Sequence, residues 1–317
     1  MARIGIRESA TMNGEDSPGT NPIFGVLYSG SAFLIWGFSP LYWRFLDEVP
    51  ALETIMHRTL WSFLFLFPIL LFQKRWKEFF SVFRKIRLQI LLAGTASLVS
   101  INWFIFIWAV NHEYVLQASL GYYISPLVNV LLGMVFLKER LRRAQLVAVL
   151  LATIGVLQLT IRYGELPWIA LSLALTFGFY GLIRKTAPVG PIVGLTIETL
   201  FLSLIALAYL SRLFFSGRGA FLNGDVSITL FLMGTALVTG LPLLLFNMGA
   251  RIIHLSTLGF MQYIVPSLFF LIAVLIFNEE VSKGQVLTFL FIWAALAIYS
   301  IDSAIHYRHG SRHLAPG

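Results

Sequence analysis

The sequence predicts an all-α integral membrane protein of ten transmembrane helices arranged as two inverted five-helix repeats. Three observations predict it. Hydrophobic residues make up 58% of the chain and charged residues only 12%, against about 25% charged in a soluble domain. The charges are clustered, and the apolar windows between them reach roughly 20 residues, enough to cross a hydrocarbon core. A patterned stretch from Asn102 to Gln145 also recurs 140 residues later, from Pro242 to Gln285.

Alternating strands with regular turns are absent, so the spanning elements are helices rather than barrel strands. The spans expected from hydropathy are 23–44, 52–72, 88–110, 115–137, 143–162, 166–184, 192–212, 226–249, 255–277 and 284–305. Before them, residues 1–22 are polar and read as a disordered cytoplasmic arm; after them, 306–317 read as a cytoplasmic tail. The loop at 73–87 is basic and amphipathic and suits a helix lying on the inner leaflet. The Gly-rich segment 214–225 reads as flexible.

Lys and Arg in the connections set the orientation. With the N-terminus inside, 17 fall in cytoplasmic segments, including Arg142, Arg184, Lys185 and Arg251, and 5 fall outside, including Arg44. Both termini are therefore expected in the cytoplasm, and the formal charge of +8 is a topological signal rather than a nucleic-acid footprint. The chain has no cysteine, which removes disulfides and thiolate chemistry.

In the repeat, Tyr123-Ile124-x-Pro126 becomes Tyr263-Ile264-x-Pro266, Glu139 becomes Glu279 and Gln145 becomes Gln285. The offset carries the fourth span onto the ninth and the fifth onto the tenth. A five-span unit is odd, so its two copies run in opposite directions. The expected repeats are 23–163 and 164–305. Such inverted halves are typical of secondary transporters, and they occur in channels as well.

Catalytic motifs are missing: there is no P-loop, no H-E-x-x-H and no G-x-S-x-G. No catalytic residue, metal ligand set or cofactor is assigned. Glu53 and His57 lie four apart on one helix face, with no third metal ligand in view. Ionisable residues within spans are costly in lipid and mark cavities or partners. By this criterion His57, Arg58 and Glu198 are the leading candidates. Arg58 and Glu198 coincide at the repeat offset, so either they pair near the midplane or each projects separately into a central cavity. Snorkelling toward the headgroups is the plainer alternative.

A second group suits the wall of an organic-substrate pocket: Asn102, Trp103, Tyr122 and Tyr123, with Asn247, Gln262 and Tyr263 in the second half. Interfacial belts account for other aromatics, including Trp43 and Trp168. Pro126 and Pro266 sit within spans and are expected hinges. Glu139, inside a basic cluster at a span end, reads as an interfacial salt-bridge residue.

The segments FLIWGFSPLYW, ETIMHRTLWS, NWFIFIWAVNHEYVLQASLGYYISPLVNVLLGMVFLKERLRRAQ and STLGFMQYIVPSLFF resemble the EamA branch of the drug/metabolite transporter superfamily. The resemblance covers about 23–305. It implies ten helices in two inverted repeats, a bacterial inner-membrane location and an export role, and it names no substrate. The reading that follows is a secondary transporter of small organic molecules, drug-like or metabolic, working by alternating access. Coupling to protons through Glu198 or His57 enters as an expectation, with lipids as the surrounding partner. A passive pore and an integral-membrane enzyme are the competing classes.

Overall fold

The computed structural model describes residues 21–163, 166–223, 225–278 and 283–312. Glu279, the repeat partner of Glu139, and the arm before Asn21 lie outside the described residues. The chain is a succession of helices. They are α1 (Pro22–Trp43), α2 (Ala51–Phe72), the short α3 (Trp76–Val82), α4 (Ile86–Asn111), α5 (Val115–Phe136) and α6 (Arg143–Tyr163). There follow α7 (Trp168–Thr186), α8 (Pro191–Phe215), α9 (Val226–Ala250), α10 (Leu255–Gln262), α11 (Ile264–Leu275) and α12 (Lys283–Arg312).

Local chemistry sets the starts. Asn21 caps α1 by accepting from the Ile23 N–H, and Asp225 caps α9 by accepting from Ser227. Pro22 and Pro191 occupy the first helical position, where the missing N–H costs nothing. Within the basic loop at 73–87, Trp76–Val82 form the short α3, with Phe79 and Val82 buried and Trp76 and Phe80 exposed, and α4 already starts at Ile86.

Among the described residues, nine helical segments are long and apolar enough to cross a membrane, with α10 and α11 together forming one. The tenth expected span is α7, 19 residues ending in Arg184, Lys185 and Thr186. It falls short on apolarity for a physical reason. It packs against α5, α4 and α9 and buries Tyr180, Gly181 and Arg184, so less of it has to be compatible with lipid. The outer helices carry the opposite signature, with Leu204, Ile205, Leu207 on α8 and Leu150, Ile154, Leu157 on α6 exposed.

The main helix pairings are α1 with α9 and α11, α2 with α8 and α9, α4 with α7 and α8, α5 with α7 and α10, and α6 with α12. Polar side chains tie them together. Asn102 of α4 donates to the Leu173 carbonyl and to Thr176 of α7, at 2.8 and 2.9 Å. Asn129 of α5 donates to Gln262 of α10 at 2.7 Å. Gly259 lets α10 approach α5 so closely that a Cβ there would sit 2.6 Å from the Pro126 carbonyl oxygen.

The two ends of the bundle differ. At the end holding the N-terminus of α1, basic residues bind the carbonyls that helix ends leave free. Lys185 donates to the Ala250 and Ile253 carbonyls at 2.8 and 2.5 Å, and Arg251 donates to those of Ala187 and Val189 at 2.7 and 2.9 Å. Burial, and then the charge of Arg184, holds the Arg251 pKa below its ordinary value. Arg142 pairs with Asp302 of α12 at 2.5 Å. Glu139 lies 3.9 Å from His254 rather than pairing with the neighbouring Lys and Arg residues, and it also caps α10, accepting from the Leu255 and Ser256 N–H groups at 2.6 and 2.9 Å, where the helix dipole favours a carboxylate.

Candidate functional site

The opposite half of the bundle contains a cavity of about 520 Å³. Its lining comes from the C-terminal halves of α1 and α4, the N-terminal halves of α2, α5 and α7, the middle of α9, and the α10–α11 junction. The walls are mainly apolar and include seven aromatic side chains: Trp36, Trp43, Trp103, Phe106, Tyr122, Phe177 and Phe269. Asn102, Ser39, Ser125, Thr239 and Gln262 supply the polar points, and Arg58 supplies the one charge among the described lining residues. An apolar volume of this size with a few converging polar groups is the usual form of a small-molecule site.

Arg58 reaches the cavity from the second turn of α2. Its guanidinium carbon lies 4.3 Å from the Trp103 ring centroid and 5.4 Å from that of Trp43. Such stacking suits the planar, weakly hydrated guanidinium. Its buried Nε has no hydrogen-bond partner, and no carboxylate pairs with it among the described residues.

Glu198 does not meet Arg58. It lies toward the other end, 1% exposed and below the cavity, in an ion pair with the fully buried Arg184 at 3.4 Å. Thr95 of α4 donates to one of its oxygens at 2.5 Å and Tyr180 of α7 to the other at 3.3 Å. Asn247 of α9 donates to the Tyr180 hydroxyl at 2.8 Å, so four helices meet at one buried carboxylate. The rings of Phe33, Trp36, Phe177, Tyr180 and Phe246 contact one another just beside it, closing the bundle between network and cavity.

The structure thus divides the expected site residues. Arg58, Asn102, Trp103, Tyr122 and Gln262 line the cavity together. Glu198 and Asn247 belong to the buried network. His57 points elsewhere, against Phe221, with its Nε2 3.9 Å from Glu53. Trp61 donates to its Nδ1 at 3.3 Å, which assigns the ring proton to Nε2. Among the described residues no three potential metal ligands gather there or elsewhere. Tyr123 and Tyr263 stand outside the lining, packed in a second core with Phe289, Phe260 and Tyr299. Tyr263 sits at the break between α10 and α11, whereas Tyr123 lies within the unbroken α5.

Of the two expected hinges, Pro266 coincides with a break. The helix stops at Gln262 and restarts at Ile264, because Pro266 cannot donate to the Gln262 carbonyl and its ring crowds it. α5 runs through Pro126 without interruption.

Thr95, Tyr180 and Arg184 were not expected at a site. One signal was available: Leu92-x-Gly94-Thr95-Ala96 recurs at the same offset as Leu232-x-Gly234-Thr235-Ala236. Arg184 was hidden by its position at a span end, where it reads as a loop charge.

The family model for the EamA-like transporter family matches residues 23–161. The uncharacterized transporter YojE of Bacillus subtilis is 44% identical over 297 residues, 91% of this chain and 97% of its own length. The protein RarD of Escherichia coli is 43% identical over 288 residues, with the same coverage of 91% and 97%. The chloramphenicol-sensitive protein RarD of Pseudomonas aeruginosa is 31% identical over 292 residues, again 91% and 97%. A crystal structure of a protein 18% identical to this one superposes with a TM-score of 0.65, covering 89% of this chain and 98% of that one, a likeness of fold alone. The chain is a multi-pass membrane transporter, and it belongs to the EamA-like transporter family alongside the RarD-type permeases.

Proposed function

We propose that this chain is a secondary transporter that exports small organic molecules across the bacterial inner membrane by alternating access, with both termini in the cytoplasm. The observation that carries the reading is the asymmetry of the bundle. An aromatic cavity built by helices of both halves lies on one side of the midplane, and a hydrogen-bonded ion-pair network seals the other side. That is the form expected of one end state of an alternating-access cycle.

The pairing of helices supports two inverted five-helix repeats. Exchanging each span with the span five positions along turns α1–α9 into α7–α4, α2–α9 into α8–α4, and α5–α7 into the packing of α10 and α11 on α1. The pairs α2–α8, α5–α10 and α6–α12 map onto themselves. By the distribution of Lys and Arg, the sealed end faces the cytoplasm, so the cavity faces outward in this state.

Opening the cytoplasmic side requires the Glu198–Arg184 pair to part, and a proton on Glu198 would neutralise one member of it. Proton coupling is therefore assigned to Glu198 in preference to His57, which faces away from the cavity. The test begins with metabolite profiling of cells with and without the protein. Flux of whatever accumulates is then measured in proteoliposomes under an imposed pH gradient. We expect uphill flux that collapses with the gradient and is abolished by Glu198→Gln, with downhill exchange retained. Flux indifferent to both would exclude proton coupling here, and single-channel currents in planar bilayers would replace the carrier with a pore.

A further inference from the structure

We infer that the cavity binds a small organic anion, its carboxylate held by Arg58 and its flat apolar body against Trp103, Phe106, Tyr122 and Phe269. This deepens the transporter reading and rests on it.

The first argument is local. A guanidinium within a membrane-spanning bundle is costly without a counter-charge, and Arg58 has none among the described residues. Trp103 and Trp43 lie against the guanidinium, and its N–H groups are the part of it able to hold an anion. They form a planar fork matched to a carboxylate. The lining described here has no acid to hold an ammonium, so a cation would have only ring faces to set against the charge of Arg58, and a neutral body would leave Arg58 uncompensated.

The second argument comes from the repeat. Arg58 falls on Glu198, and Glu198 has a partner of opposite charge in Arg184. At the offset of 140 the counterpart of Arg184 is Arg44. Aligning Gly37-Phe38-x-x-Leu41 with Gly178-Phe179-x-x-Leu182 shifts the register by one and makes it Trp43. Neither register offers an acid. If the two halves exchange conformations during transport, closing the outer side has to reproduce an inner contact whose negative member is missing from the chain. A bound anion supplies that member. Occupancy then favours closure over the substrate, which is what a carrier needs in order to move loaded.

The test uses the full-length protein in nanodiscs and tritiated naphthoate, with the primary amide of naphthoic acid and naphthylmethylammonium as competitors. The expected result is saturable naphthoate binding, with the amide and the cation competing at least about tenfold more weakly, the scale of a charge-assisted hydrogen bond. Arg58→Gln should bring the carboxylate-to-amide ratio close to one, and Arg58→Lys should keep part of it, which a general loss of folding could not do. Equal binding of amide and carboxylate, discrimination surviving in Arg58→Gln, or no naphthoate binding at millimolar concentration would each overturn the proposal. Binding is measured at equilibrium, so it fails separately from transport. Selective naphthoate binding without counterflow in proteoliposomes would uphold the anion site and remove the carrier reading.

Discussion

The Arg184–Glu198 pair owes its place to a glycine. Gly194 stands where the guanidinium of Arg184 crosses α8, and a Cβ there would clash with both of its terminal nitrogens. One turn on, Glu198 meets it from the same helix, and Arg184 also donates to the Pro191 carbonyl at 3.2 Å. Removing one member of a buried pair strands the other charge, at about 3–5 kcal/mol, whereas replacing both can be nearly neutral. Arg184→Leu and Glu198→Gln should therefore each lower the thermal unfolding midpoint in nanodiscs, and the double variant should lie closer to the native protein than either. Additive losses would mean that Thr95 and Tyr180, not Arg184, support the carboxylate. From sequence, Glu198 was legible because an acid inside a span is rare. Its partner was not, because a basic residue at a helix end has a cheaper explanation in topology, and only burial of the last turn of α7 overrides it.

At the scale of elements, identical local chemistry gives different outcomes in the two halves. Pro126 and Pro266 both lack an N–H and both sit in Tyr-Ile-x-Pro. Around Pro126, α5 packs on α7 and α10 and stays continuous. Around Pro266, the chain breaks at Tyr263, and Gln262 is left positioned between Asn129 and the cavity. Periodicity located both prolines. It could not say which would open, since that depends on neighbours distant in sequence. The pocket was legible for the same reason in part only: Trp103, Tyr122 and Gln262 share its wall, while Tyr123, one residue on, faces the second core with Phe289. A helical step of one residue turns a side chain by more than a quarter of a circle, and span boundaries read from hydropathy do not fix that angle. Pro266→Ala should let α10 and α11 join, with the unfolding midpoint unchanged or raised, since an interior proline costs ~3 kcal/mol. If the break is a working hinge, exchange flux falls several-fold in the same variant. Unchanged flux would make the break a packing feature only.

At the scale of the molecule, the sealed end is held by charges that the sequence presents as loop residues. Lys185 and Arg251 cross over each other's helices, each binding the carbonyl end of the other's. With the Glu198 network they form two layers that, in the proposed cycle, have to release before the cytoplasmic side opens. Weakening the outer layer alone should shift the population toward the other end state by the affinity lost. The chain has no cysteine, so single thiols report on this without background. Val238→Cys lines the cavity, and Ala250→Cys lies buried beside Lys185. In the native background the first should react with an impermeant maleimide from outside and the second should stay silent. Adding Lys185→Gln and Arg251→Gln should slow labelling at position 238 and expose position 250 from the cytoplasmic side, the two changing in opposite directions. Both sites becoming reactive together would describe a loosened protein or a pore, because a carrier that opens one side has to close the other.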